Sequence, residues 1–196
     1  MIRIGILGDI GSGKSHAARQ FGYPVFNADL EVGKLYKKNR KCYRRLQKAL
    51  PHYIFSFPIK KAEISKALMA SSHNLLKIIK IVHPEVRLSM HRFLKRNKNK
   101  KAVILDIPLL LENKINEKEY VLVFVDAKKS DILKRLKKRP NYNSKTLAIL
   151  KKFQLPIEIK KKKSNYIIKN NFKRLNLKKN VKLLKIKILN NERNCS

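Results

Sequence analysis

The sequence contains few glycines, cysteines and acidic side chains, and it contains no tryptophan. Among its 196 residues are 6 glycines, 2 cysteines and 13 acidic residues. The two cysteines, Cys42 and Cys195, are too few for a disulfide framework, and they do not have the spacing of metal ligands. We therefore expect ordinary thiols in a reducing, cytoplasmic compartment.

Long hydrophobic runs are also missing. The longest stretch without a charged residue is Ala49–Ile59, which contains two prolines and is much shorter than the roughly 20 apolar residues of a membrane-spanning helix. The first residues do not have the shape of a signal peptide. With 43% hydrophobic residues, the chain can still bury a core. This content predicts one compact domain with small insertions and no association with a membrane.

Charge of one sign dominates, since 48 lysines and arginines give a formal net charge of +35. Such a surface attracts nucleic acids through counterion release. However, lysines outnumber arginines 36 to 12, and arginine is the residue that reads bases. No helix-turn-helix, zinc-finger or RNA-binding signature is present. We therefore attribute much of the charge to composition bias and expect no specific nucleic-acid partner.

The few glycines are concentrated near the N-terminus, where all six lie within the first 33 residues. Gly8-Asp-Ile-Gly-Ser-Gly-Lys-Ser15 fits G-x-x-x-x-G-K-[ST], the phosphate-binding loop. In this motif glycines turn backbone N–H groups towards phosphate oxygens, the lysine reaches the terminal phosphates and the hydroxyl ligates Mg²⁺. The alternative is a glycine turn without a ligand. The predicted nucleotide-binding residues are Gly8, Gly11, Ser12, Gly13, Lys14, Ser15 and His16.

Short apolar runs bounded by charge predict buried strands that alternate with helices. The predicted strands are Ile2–Leu7, Val25–Asn27, Lys101–Leu105, Tyr120–Val125 and Tyr166–Ile168. The predicted helices are Gly13–Phe21, Asp29–Leu50, Lys61–Ile81, Pro84–Lys98, Ser130–Arg139 and Leu175–Leu189. This alternation predicts an α/β fold with a parallel sheet flanked by helices.

Aspartates are scarce, and three of the five follow predicted strands. Asp29 comes just after the second strand, on the edge where the loops of a parallel sheet meet. A carboxylate there can accept the proton of an acceptor hydroxyl, and helix capping is the equally weighted alternative. Asp106 ends the third strand, where phosphate-loop proteins often hold Mg²⁺. Its alternative is again a cap or a turn.

Six segments in chain order carry a resemblance that covers almost the whole sequence. They are Ile4–Ser15, Phe26-Asn-Ala-Asp29, His83-Pro-Glu-Val-Arg87, Asp106-Ile-Pro-Leu-Leu-Leu-Glu112, Val125–Gln154 and Ser164-Asn-Tyr-Ile-Ile-Lys-Asn170. Together they resemble the dephospho-CoA kinase family. The phosphate loop alone is generic, whereas the His-Pro and Pro-Leu-Leu segments in this order are much more specific.

The resemblance implies a P-loop kinase-type sheet with a helical insertion that binds the acceptor and with a helical lid. It assigns residues 1–29, 101–130 and 164–196 to the nucleotide-binding core, 30–100 to the insertion and 131–163 to the lid. It also implies transfer of phosphate from ATP, with Mg²⁺, to the ribose 3′-hydroxyl of dephospho-CoA, which is the last step of coenzyme A synthesis. The substrates would then be the partners, and no oligomeric state is predicted.

The same resemblance implies roles for individual side chains. Asp29 would be the base and Lys14 would hold the triphosphate. Arg135 and Arg139, four apart on one helix face, would reach the transferring phosphate as the lid closes. Asn170 would lie near the adenine of ATP. His83 and Glu112 would bind the acceptor, and Ser15 and Asp106 would bind Mg²⁺.

Each of these roles has a purely structural alternative. His83 could mark a turn into a helix that starts at Pro84. Glu112 could pair with a surface lysine, and the two lid arginines could belong to a solvated helix face. For the whole chain, the competing functions are a shikimate- or nucleoside-type kinase and a basic nucleic-acid-binding P-loop protein.

Several positions depart from the family pattern. Asn27 replaces the first aspartate of the Asp-Ala-Asp segment, which removes one negative charge. Asp9 replaces a glycine of the phosphate loop, and we expect its side chain to point outward. Ile149 stands where a third lid arginine is expected, and Pro140 replaces the aspartate after Arg139.

Overall fold

The computed structural model describes residues 1–108, 110–112, 120–139 and 142–194, with side chains up to Asn191. Cys195 and Pro140, which the sequence analysis singled out, lie outside the described residues. Within the described part, no helix combines the length and the apolar character that a membrane crossing requires.

Five parallel strands form one sheet. They are β1 (Ile2–Leu7), β2 (Val25–Asn27), β3 (Ala102–Asp106), β4 (Tyr120–Asp126) and β5 (Tyr166–Lys169). The order across the sheet is β2-β3-β1-β4-β5, and all four neighbouring pairs are parallel. The predicted parallel α/β architecture is therefore confirmed.

The helices follow the strands along the chain. They are α1 (Lys14–Gln20), α2 (Ala28–Lys38), α3 (Arg40–Ala49), α4 (Lys61–Ala70), α5 (Ser72–Arg96), α6 (Lys129–Lys137), α7 (Ser144–Lys152), α8 (Ile157–Lys162) and α9 (Arg174–Asn194).

The chain divides into two compact units. The sheet unit comprises residues 1–27, 97–142 and 154–196, and the helical unit comprises residues 28–96 and 143–153. Residues 143–153, which contain α7, thus cluster with the helices of the expected insertion. The functional division into core, insertion and lid remains a prediction.

The core of the sheet unit is built from continuous apolar strands and one long helix. Ile4 and Ile6 of β1 pack with Val123 of β4 and with α1. From α9, buried side chains come at helical spacing. They are Leu177, Val181 and Ile188. This packing anchors the loops that follow β1, β3 and β4, because these strands are buried on both faces.

The helical unit has a separate core, to which α2 through α5 contribute Leu35, Leu46, Leu68 and Ile78. Ile149 of α7 packs against this core. An apolar side chain at that position is explained by its packing in this unit.

Four helix boundaries differ from the sequence prediction. The predicted helix Lys61–Ile81 ends at Ala70, and α5 begins at Ser72. The predicted helix Asp29–Leu50 is two helices, because the Asn39 side chain caps α3 by accepting a hydrogen bond from the Cys42 amide. Pro84 lies inside α5, so the predicted helix start at Pro84 is wrong, and so is the alternative in which His83 marks a turn into that helix. The helix α6 ends at Lys137, and Arg139 follows it instead of sharing its face with Arg135.

A buried carboxylate holds the loop before α4. The backbone N–H groups of Phe55 and Ser56 donate to Oε2 of Glu63 at 3.1 and 3.3 Å, and the Ser56 hydroxyl donates to Oε1. Burial alone would raise the pKa of Glu63, but the Ser56 hydroxyl, these two amides and the charge of Lys60 together lower it. The ionised carboxylate therefore stabilises the folded loop.

We expect Glu63→Gln to lower the free energy of unfolding at pH 7 by about 1–2 kcal/mol, because hydrogen bonds to a charged acceptor are lost. Since the folded pKa lies below the ordinary 4.5, the stabilisation is present above pH 4.5 and disappears as the pH falls through the folded pKa. Urea unfolding of both chains at several pH values measures this difference. Glu31→Gln, which breaks a surface ion pair with Lys34, should have a smaller effect. A Glu63→Gln effect that persists at low pH would contradict the assignment.

Candidate active site

The loop between β1 and α1 has the backbone of a phosphate cradle. Gly8, Gly11 and Gly13 have φ values of 146°, 88° and 93°, which side chains with a Cβ rarely adopt. A Cβ at Gly8 would lie 2.8 Å from the Val125 carbonyl oxygen. Gly13 directly precedes α1, so the loop leads into the positive end of a helix.

Two side chains of the loop fit an anionic ligand. Lys14 Nζ donates to the carbonyl oxygens of Gly8 and Asp9 at 3.1 and 2.8 Å, which places its positive charge at the loop. Ser12 Oγ is buried, and no hydrogen-bond partner for it occurs among the described residues. A buried hydroxyl without a partner is costly, and a phosphate oxygen would satisfy it.

Asn170, which directly follows β5, stabilises the phosphate loop through a side-chain hydrogen bond. Its Nδ2 donates to the Ser12 carbonyl at 2.8 Å, and its Oδ1 accepts from the Phe172 amide at 3.0 Å. The side chain is only 4% exposed. Asn170 thus positions the loop backbone, while its predicted contact with adenine remains a prediction.

Several arginines lie near His16, at the start of α1 beside the loop. The guanidinium of Arg135 lies 4.5 Å from the ring centroid of Phe172, a cation–π geometry. Burial lowers the pKa of His16, and the charges of Arg19, Arg174 and Arg135 lower it further. His16 is therefore neutral near pH 7, and the arginines carry the positive charge beside the loop.

Ser15 and Asp106, the predicted Mg²⁺ ligands, are linked by a third side chain. Asn27 Nδ2 donates to Asp106 Oδ2 at 2.5 Å and lies 3.4 Å from Ser15 Oγ. The link exists because β2 and β3 pair in parallel with Asn27 opposite Asp106. A hydroxyl and a carboxylate are oxygen ligands of the kind that Mg²⁺ takes together with substrate phosphates, so this donor set fits the cation.

Asp9 does not point outward as predicted. It is only 8% exposed, and its Oδ1 accepts a hydrogen bond from the Ile10 amide at 2.7 Å. The side chain also lines a cavity of about 200 Å³ together with Ser12, Asp126 and Lys161. The local hydrogen bond explains how a carboxylate can replace glycine here, because it turns the charge back onto the loop backbone.

Glu112 takes part in a buried network at the segment before α8. Its Oε1 accepts from the Leu155 amide at 2.9 Å and from Lys160 Nζ at 2.8 Å. Lys160 is 2% exposed and also donates to Gln154 Oε1 at 3.0 Å. Glu112 therefore positions residues 154–160, and its predicted contact with the acceptor remains a prediction.

We expect Glu112→Gln to lower the free energy of unfolding by about 1–2 kcal/mol, because Lys160 loses its charged partner while an amide oxygen can still accept. Urea unfolding of the two chains gives the difference. Glu158→Gln, at an exposed glutamate of α8, serves as the matched control and should change stability little. Equal stability of Glu112→Gln and the parental chain would show that the pair contributes nothing net.

Two predicted residues lie in the helical unit. Asp29 is the second residue of α2 and is exposed. His83 is half-buried within α5. Their predicted roles as base and acceptor ligand remain predictions. Arg139, in the sheet unit, is exposed beyond the end of α6.

The sequence interpretation missed several members of the site. For Asn27 it considered only the missing negative charge and not the hydrogen bonds of the amide. It assigned no role to Phe172 or Lys160. Asn27 could have been found from its position at the end of a strand once the strand order was known. The pattern around Lys160 carries no such signal, because it lies in a run of four lysines of which only one is buried.

Solved structures share this fold. A Thermus thermophilus protein of known crystal structure has 25% sequence identity to this chain and superposes with a TM-score of 0.75. The match covers 95% of this chain and 97% of that one. A dephospho-CoA kinase from Campylobacter jejuni is 20% identical with a TM-score of 0.63, and the match covers 97% and 98%. The parallel sheet and its phosphate loop define the class, which is that of the P-loop kinases.

The sequence comparisons narrow this class. A family model described as dephospho-CoA kinase matches residues 2–175. The dephospho-CoA kinase of Rhizobium meliloti strain 1021 is 35% identical over 173 residues, which are 86% of this chain and 88% of that protein. The chain belongs to the dephospho-CoA kinase family, which confirms the resemblance based on the motifs.

Proposed function

We propose that this chain transfers the terminal phosphate of ATP to the ribose 3′-hydroxyl of dephospho-CoA, giving coenzyme A and ADP. The observation that carries the proposal is the phosphate loop, with its positive-φ glycines, the Lys14 ammonium and the buried Ser12 hydroxyl, in a chain of this family.

The loop supports binding of the triphosphate by several groups at once. Backbone N–H groups of the loop and the start of α1 would offer donors and a positive dipole end to phosphate oxygens. Lys14 adds a full charge, and Asn170 keeps the Ser12 peptide in place. Positioning and charge stabilisation are the main contributions a protein makes to phosphoryl transfer.

Ser15 and Asp106 would hold Mg²⁺ beside the phosphates. When bound, the cation supplies charge neutralisation at the phosphate oxygens. The Asn27 amide nitrogen lies within hydrogen-bond distance of both residues. This arrangement depends only on the pairing of β2 with β3 and on the position of α1.

Asp29 would accept the proton of the 3′-hydroxyl and orient its oxygen. The support for this role is its place in the chain, two residues after the last residue of β2, within the segment that matches the family motif. Arg135 and Arg139 would stabilise charge on the transferring phosphate, and closure of a lid would exclude water and limit hydrolysis of ATP.

Release of ADP by the purified chain tests the proposal, with dephospho-CoA, shikimate and nucleosides offered in turn. We expect stimulation by dephospho-CoA alone. Stimulation by shikimate or a nucleoside, but not by dephospho-CoA, would overturn the acceptor assignment and leave a P-loop kinase of another specificity. Sequence-dependent binding to nucleic acid that persists at high salt would instead favour a nucleic-acid partner, because binding by charge alone falls steeply with salt.

A further inference from the structure

The polar cluster at the ends of β2 and β3 contains a residue that the proposed reaction does not yet use. Asn27 lies at the end of β2, and its amide nitrogen is 2.5 Å from Asp106 Oδ2 and 3.4 Å from Ser15 Oγ. These two acceptors are the candidate Mg²⁺ ligands. Asn27 therefore contacts Ser15 and Asp106 through an amide nitrogen. This nitrogen is a hydrogen-bond donor and would not itself bind the cation.

The register of the sheet makes this contact specific. Asn27 pairs with Asp106 across the parallel β2–β3 ladder, so both side chains project from neighbouring strands at the same level. Asp106 is 2% exposed, and buried polar groups need hydrogen-bond partners. The Asn27 amide supplies one such partner and thereby fixes the rotamer of the carboxylate.

The chemistry of the amide also sets the charge of the cluster. An aspartate at position 27 would place two carboxylates in direct contact, where their like charges would repel each other. With asparagine, the cluster carries one formal negative charge and a hydroxyl. Such a set is suited to a divalent cation that arrives with phosphate oxygens, which supply the remaining negative charge.

We propose that Asn27 is a positioning residue that orients Asp106 towards Ser15 and makes nucleotide binding depend on Mg²⁺. This inference rests on the proposed function only in that both require a Mg²⁺–nucleotide site. It predicts that Asn27 governs the coupling between the cation and the nucleotide, and not the affinity of the loop for phosphate itself.

The test measures the affinity for the non-hydrolysable ATP analogue AMP-PNP by calorimetry, once with saturating MgCl₂ and once with EDTA. The ratio of the two dissociation constants is the Mg²⁺ coupling. For Asn27→Ala we expect this coupling to fall by roughly tenfold, because Asp106 loses a charge-assisted hydrogen bond, while the affinity in EDTA is retained. A variant that only damaged the fold would weaken both affinities together.

Asn27→Asp provides a second variant of nearly the same shape. It removes the donor and adds a carboxylate, so we expect weaker binding in EDTA, where the new charge repels phosphate, and a larger Mg²⁺ coupling. Asn180→Ala is the matched control, because it removes an amide that donates to the Lys169 carbonyl outside this cluster. Its coupling should equal that of the parental chain.

The outcomes separate the inference from the proposed function. If the parental chain binds AMP-PNP with a Mg²⁺ dependence that Asn27→Ala and Asn27→Asp leave unchanged, the role of Asn27 is refuted and the kinase assignment stands. If the parental chain shows no Mg²⁺-dependent nucleotide binding, both are refuted.

Discussion

Asp29→Asn should lower kcat by about a thousandfold, because general-base catalysis contributes roughly 10²–10⁴ to such a step. The affinity for ATP should change by less than about twofold, since the role proposed for Asp29 is that of a base and not of a phosphate contact. ADP release at saturating dephospho-CoA measures the first quantity, and calorimetry with AMP-PNP measures the second. The substitution is nearly isosteric, so it changes the charge of the side chain and little else.

The competing explanation for Asp29 is a helix-terminal role, since it lies in the first turn of α2. Asparagine satisfies helix N-termini about as well as aspartate, so a capping role predicts little loss of either stability or turnover. Glu31→Gln in the same first turn is the matched control, because it removes a comparable negative charge from the helix dipole. Turnover of Asp29→Asn close to that of this control would refute the assignment of Asp29 as the base.

Gly13→Ala should weaken nucleotide binding by roughly a hundredfold. Gly13 has a φ of 93°, where a residue with a Cβ is strained by about 1–3 kcal/mol. The new Cβ would also collide with Asn170 Nδ2, which holds the Ser12 carbonyl. Relief of either problem moves the loop peptides that are proposed to face the phosphates. The dissociation constant for AMP-PNP reports the loss directly.

Further variants separate the causes. Asn170→Ala alone gives the loss caused by the missing contact with the Ser12 carbonyl. Asn170→Ala combined with Gly13→Ala removes the collision but keeps the backbone strain, so the double variant should still bind more weakly than Asn170→Ala. Gly33→Ala is the matched glycine control, because a Cβ there meets nothing within 4 Å and the position is helical. It should leave nucleotide affinity unchanged and increase stability by about 0.5–1 kcal/mol. Binding by Gly13→Ala as tight as that of Gly33→Ala would contradict the importance of this backbone conformation.

Sequence patterns were sufficient for the elements whose signals are local. The apolar runs at β1, β3 and β4 identify buried strands because parallel strands are covered on both faces. Helix boundaries were less well predicted. The break at Asn39 depends on a side-chain cap. The helix α5 continues through Pro84, although a proline inside a helix removes a backbone hydrogen bond and commonly ends or kinks the helix.

The burial of Lys160 could not be predicted from the amino-acid composition. This residue is one of 36 lysines, yet it is buried and paired with Glu112. The net charge of +35 therefore says little about any one lysine. Burial of a charge depends on a partner supplied by a segment more than 40 residues away in the sequence.

The sequence by itself determined the phosphate loop, the α/β class and the family, because each depends on residue types at fixed spacing within short segments. Only the tertiary structure decided that Asn27 lies opposite Asp106, that Asn170 supports the Ser12 carbonyl and that the Asp9 side chain is buried. The first two contacts join residues that are 79 and 158 positions apart. They follow from strand order and packing, which no local pattern of side chains specifies.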